Sequence, residues 1–188
     1  MNLETAIDIA NTELKKKKIK SSMLDCEILM STVMNNSREF IILNSKKKIK
    51  KNNYNYFKKL VYERSKGKPI AYITGKKYFW KYEFEINEDV LIPRPDTEII
   101  IEQVFNIFKN KGRINLLDIG VGSGCILLSI LKEKKNYLGT GIDMSNECVK
   151  LCKINANKLG VKNRVKIFKS NVDNFNFGKY DLIISNPP

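Results

Sequence analysis

Apolar positions in residues 1–75 recur with a helical period. Leu3, Ala6, Ile7, Ala10 and Leu14 share one face of a first helix. A second carries Leu24, Ile28, Leu29 and Val33, with Ser21 or Ser22 as its N-cap. Ser37 caps a third through Phe40, Ile41 and Leu43. A fourth runs from about Tyr54 through Phe57, Leu60 and Val61 and stops at Gly67. The period changes over 76–92. Tyr82, Phe84 and Ile86 alternate with polar residues, and so do Val90 and Ile92 beyond Asn87-Glu88-Asp89, which predicts a β-hairpin turning at those three residues. Pro93-Arg94-Pro95 blocks further strand. Asp96 or Thr97 can then cap a helix through Ile99, Ile100, Ile101, Val104 and Phe105.

From Leu116 onward strands and helices alternate. The expected strands are 116–119, 137–142, 165–168 and 180–185, with helices after the first and second. Such alternation predicts an α/β domain with a parallel sheet and a ligand site at the strands' C-terminal ends. The expected organisation is a helical domain at 1–75, a hairpin linker at 76–93 and the α/β domain at 94–188.

The chemistry concentrates at Asn115–Ser129. A short apolar run ends in Asp118-Ile119 and is followed by Gly120, Val121, Gly122, Ser123 and Gly124, then by a helical apolar pattern. Glycines there allow a sharp turn with positive φ and the close approach of a ligand. Amides at the start of the next helix face that ligand. A dinucleotide site places its third glycine one position later, and D-x-G-x-G-x-G resembles instead the first motif of S-adenosylmethionine (SAM)-dependent methyltransferases. A turn without any ligand is the bland alternative, against which strand, turn, helix and a later acid all line up. That acid is Asp143, at the end of the second strand, where a carboxylate accepts both ribose hydroxyls. It could equally serve as an N-cap, but Ser145 is available for that task.

Composition narrows the picture. Hydrophobic residues make up 43% of the 188, enough for a core. The first residues mix Glu4, Asp8 and Glu13 into an apolar period, unlike a targeting peptide, and no run is long enough to span a bilayer. A cytoplasmic protein is expected. The net charge is +14, carried mostly by Lys in clusters such as 15–18 and 46–51. These read as solvated faces, with an RNA or ribosomal footprint as the second reading. Four cysteines without a C-x-x-C and without any histidine exclude most zinc spacings and remove the commonest general base.

The fourth strand runs into Asn186-Pro187-Pro188, which resembles the N-P-P-Y motif of amino-group methyltransferases. Gly67-Lys68-Pro69-Ile70-Ala71-Tyr72-Ile73-Thr74-Gly75, Phe79-Trp80 and Leu91-Ile92-Pro93-Arg94-Pro95-Asp96-Thr97-Glu98 narrow the resemblance to the HemK/PrmC family of release-factor glutamine methyltransferases. The resemblance implies a Rossmann-like SAM-dependent fold preceded by a small helical bundle that selects the substrate. It implies methyl transfer from SAM to the glutamine amide nitrogen in the Gly-Gly-Gln loop of peptide chain release factors. Asn186 and Pro187 would be catalytic, with Pro188 and Arg94 beside the substrate. Asp118, the turn 120–124, Asp143, Asn171, Val172 and Asn186 would hold the cofactor. Two departures stand out. Ser170-Asn171-Val172-Asp173 replaces the family's Ser-Asp-Trp-Phe near the adenine, and neither the Tyr after Asn-Pro-Pro nor further strands follow, so an incomplete, C-terminally truncated sheet is expected. A DNA or rRNA amino methyltransferase, or an inactive fragment, is the alternative.

Overall fold

The computed structural model describes residues 1–187. They form two compact units that divide between Thr74 and Gly75.

The first unit contains five helices, α1 (Leu3–Lys16), α2 (Ser22–Met34), α3 (Arg38–Leu43), α4 (Lys51–Ser65) and α5 (Ile70–Thr74). The predicted face of α1 is inside: Leu3, Ala6, Ala10 and Leu14 are buried against Leu29, Met30, Ile41 and Phe57. Asn2 and Ser37 cap α1 and α3 by accepting the amides of Thr5 and Phe40. Ser21 precedes α2 but caps nothing. Its hydroxyl instead donates to Asp25 at 3.0 Å, which also accepts from Arg64 in a part-buried ion pair at 2.7 Å. The five-residue α5 is too short to show a period, so it is visible only in the structure.

The second unit begins with the hairpin, in a register different from the expected one. Strands β1 (Lys76–Phe79) and β2 (Tyr82–Glu85) pair antiparallel, Lys76 opposite Glu85 and Phe79 opposite Tyr82. The turn is Trp80-Lys81, with Trp80 at φ 56. Side-chain contacts hold it there. The Trp80 amide donates to Glu98 at 2.6 Å, and the Trp80 indole and Tyr82 hydroxyl both donate to Glu133. Asn87–Asp89 also turns, but Leu91–Pro93 joins no sheet. The proline amides cannot enter a ladder.

Next come a 3₁₀ turn at Pro95–Thr97 and α6 (Glu98–Ile107). Neither Asp96 nor Thr97 caps α6 through a side-chain bond. The remaining elements alternate: β3 (Asn115–Ile119), α7 (Cys125–Glu133), β4 (Leu138–Asp143), α8 (Asn146–Lys158), β5 (Val165–Lys169) and β6 (Leu182–Ser185). The sheet is parallel with order β5-β4-β3-β6. The chain winds outward from β3 to β5, then returns past β3 to β6. That reversal opens a crevice at the strands' C-terminal ends. Among the described residues no helix is long and apolar enough to cross a membrane.

Candidate functional site

A cleft of about 870 Å³ lies at that reversal, within the usual range for small-molecule sites. Its floor is the turn after β3. Gly120 and Val121 each donate an amide to the Ile142 carbonyl at 2.9 Å, which seats the turn on β4. Gly120 has φ +75, and apart from its own atoms and its two chain neighbours nothing lies within 4 Å of where its Cβ would stand. Gly122 and Ser123 also line the cleft, but Gly124 does not. Gly124 starts α7 at φ +81, and a Cβ there would lie 2.6 Å from the Cys152 sulfur and 2.7 Å from Leu128. Its task is helix packing.

Asp143 ends β4 on the cleft wall. Its Oδ2 accepts the Gly122 amide at 2.9 Å and its Oδ1 the Ser145 amide at 2.9 Å. An ionised carboxylate has about four acceptor positions, so one on each oxygen is left. The N-cap of α8 is Ser145, whose hydroxyl accepts from Cys148.

Asp118 also borders the cleft, but it is only 2% exposed. Burial raises its carboxyl to about 7, against a downward pull from the Leu127 amide that hydrogen-bonds it, while the charge of Asp143 pushes it further up. Near neutral pH this group is poised between acid and carboxylate. Three thiols lie close by, and burial raises all of them: Cys125 to about 12, Cys148 upward and Cys152 well above the ordinary value. Protonated thiols are poor nucleophiles and poor metal ligands. Among the described residues no cluster of Cys, Asp and Glu is arranged to hold a metal ion.

The far walls come from the loop after β5 and the tip of β6. Asn171, Val172 and Asp173 line the former, with Val172 55% exposed. Asn186 and Pro187 line the latter, and Asn186 donates its Nδ2 to the Thr97 hydroxyl at 3.4 Å. Arg94 and Thr97 approach from the segment before α6. One cleft therefore gathers Asp118, the turn 120–123, Asp143, Asn171, Val172, Asn186, Pro187 and Arg94. Pro188 lies outside the described residues.

The structure adds lining residues that motif spacing did not pick out. Met144 is 73% exposed and directly follows Asp143, while Leu91 and Ile92 supply apolar wall. An exposed Met after a strand-end acid was a legible signal. The contribution of Leu91 and Ile92 was hidden by their apparent strand pattern.

The PrmC N-terminal domain family matches residues 5–75, and the methyltransferase small domain family matches residues 97–188. A release factor glutamine methyltransferase of Leptospira interrogans is 39% identical over 93% of this chain and 63% of its own length. One from Buchnera aphidicola is 40% identical over 87% of this chain and 59% of its own length. The chain thus spans about three fifths of the length of these curated relatives. A solved SAM-dependent methyltransferase of Geobacter sulfurreducens, in complex with S-adenosyl-L-homocysteine, is 25% identical with a TM-score of 0.42, over 49% of this chain and 36% of that one. The chain thus carries a PrmC N-terminal domain followed in the same polypeptide by a methyltransferase small domain, and over most of its length it is similar to release factor glutamine methyltransferases.

Proposed function

We propose that the cleft binds SAM and that the protein methylates the side-chain amide nitrogen of a glutamine, the one in the Gly-Gly-Gln loop of peptide chain release factors. The observation that carries this is the position of Asn186. It stands at the tip of β6, with Ser185 paired opposite Ile119, so the carboxamide and the glycine turn after β3 border one cleft. The names of the relatives, release factor glutamine methyltransferases, support this substrate class.

The lining fits the cofactor. The open acceptor positions of Asp143 suit two vicinal hydroxyls, and Met144, Val172 and Ile142 offer apolar surface for a purine. SAM, when bound, supplies an electrophilic methyl group on a sulfonium. The remaining work is positioning. An amide nitrogen is a weak nucleophile because its lone pair is delocalised, and this chain has no histidine to act as base. Thr97 engages the Nδ2 of Asn186, which leaves Oδ1 to accept one N–H of the substrate amide. The Pro187 carbonyl accepts the other. These acceptors align the nitrogen with the methyl group and stabilise the positive charge it gains as the N–C bond forms and the S–C bond breaks. The amide then loses one proton to water. The helical unit, on this reading, selects the protein substrate.

Transfer of labelled methyl from SAM to a release factor tests the proposal, alongside a version whose Gly-Gly-Gln glutamine is alanine. Label on the first protein alone is expected. Equal label on both, or label on DNA or rRNA instead, refutes the glutamine reading.

A further inference from the structure

Asn155 is fully buried on α8 and forms three hydrogen bonds. Its Oδ1 accepts the Glu85 amide at 2.8 Å. Its Nδ2 donates to the Glu85 carbonyl at 3.1 Å and to the Ser123 carbonyl at 2.9 Å. One acceptor bond and both donor hydrogens are therefore in use. A carboxamide carries the same donor and acceptor as a peptide group. Here it pairs with both backbone groups of Glu85, as a neighbouring strand residue would. Its second hydrogen fixes the carbonyl of the glycine turn.

Other side chains cannot do this. Aspartate has no donor for either carbonyl. Leucine matches the volume and leaves three backbone groups unpaired. Glutamine is longer by a methylene, which moves its carboxamide away from the positions that meet Glu85 and Ser123. Lys158, one turn further along α8, binds Glu83 at 2.8 Å and Glu85 at 2.6 Å, so α8 clasps the same strand twice.

We infer that Asn155 is a positioning residue that locks the cofactor turn to the outer edge of the hairpin, coupling occupancy of the cleft to order in β1 and β2. This rests on the cofactor reading of the cleft. Coupling is reciprocal: a ligand that steadies the turn steadies the hairpin, and disorder in the hairpin weakens the ligand by the same factor.

Amide hydrogen exchange on the 188-residue chain, with and without S-adenosyl-L-homocysteine, is the test. Saturating ligand slows exchange at 120–124 and also at 76–86, the latter on the order of tenfold. In Asn155→Ala the turn is still protected, while protection of the hairpin disappears. Lys158→Ala loosens the hairpin but keeps the ligand-dependent change, since Asn155 is intact. Protection of the turn without protection of the hairpin in the wild-type chain overturns the coupling, whether or not the variant folds. Equal hairpin protection in Asn155→Ala overturns it as well. No protection at the turn overturns the cofactor reading and the coupling together.

Discussion

The Oδ2 atom of Asp143 accepts the Gly122 amide at 2.9 Å, so the acid at the end of β4 shapes the turn after β3 as well as facing the cleft. Asp143→Ala removes both tasks. Hydrogen bonds to a charged group are worth about 1.5–3 kcal/mol each, and affinity for SAM is expected to fall at least tenfold. Asp143→Asn keeps one acceptor and falls less. Calorimetry measures both. Unchanged affinity in the alanine variant removes Asp143 from the site.

Asn186→Ala should separate turnover from binding. Loss of one preorganised polar group at a developing charge costs about 2.7–4 kcal/mol, roughly a hundred- to a thousand-fold in rate. SAM affinity should change little. Asn186→Asp keeps an acceptor and adds a negative charge near the sulfonium, so SAM binds at least as tightly while turnover still drops. Single-turnover methyl transfer and calorimetry on the same variants make the comparison. Parallel loss of both quantities in Asn186→Ala argues against an orienting role.

Asp118 should leave a signature in the pH dependence of stability. Its folded-state value of about 7 lies above the ordinary 3.8. The folded protein therefore holds a proton there that the unfolded chain has released. Stability from this group is full below about 3.8 and is lost as pH rises through about 7, with a slope of up to ~1.4 kcal/mol per pH unit in between. Asp118→Asn cannot titrate. Urea unfolding of both proteins between those limits should show the wild-type chain losing ground to the variant as pH rises. A difference that stays constant with pH rules out a buried, protonated Asp118.

Gly124→Ala should destabilise the second unit without touching the cleft lining. The left-handed backbone costs an L-residue roughly 1–2 kcal/mol. The added methyl also meets the Cys152 sulfur at 2.6 Å and Leu128 at 2.7 Å, an overpacking cost of about 1–3 kcal/mol. Thermal unfolding is expected several degrees lower. Combining it with Cys152→Ala, which opens the space, should recover part of the loss. No recovery would locate the cost in the backbone and the Leu128 contact instead of the Cys152 sulfur.

The fold was legible because its signals are local. The helical period of α1, the strand–turn–helix run at Leu116–Leu131 and the alternation through β6 each lie within one or two elements, where side-chain periodicity reports the buried face directly. The same locality placed Asp118, Gly122, Asp143 and Asn186 at strand ends, which a parallel sheet brings to one edge. The hairpin marks the limit. Alternation identified β2, but its partner Lys76-Lys77-Tyr78-Phe79 has no period-two pattern of its own. Its register comes from Glu98 and Glu133, elsewhere in the chain, holding Trp80 and Tyr82.

Sequence alone therefore determined most of the helices and strands, α5 and β1 excepted, their order, and which polar residues stand at the sheet's C-terminal edge. Tertiary structure alone decided what those residues touch. Thr97 reads as a helix cap, yet its hydroxyl receives Asn186, 89 positions away. Asn155 reads as an unremarked polar residue on a helix, yet it closes the hairpin edge 70 positions away. Asp118 reads as an ordinary carboxylate until burial raises its pKa. The physical reason is common to all three. Secondary structure follows from backbone sterics and the spacing of apolar groups within a segment, whereas hydrogen-bond partners and desolvation depend on which segments pack together, and no local pattern encodes that.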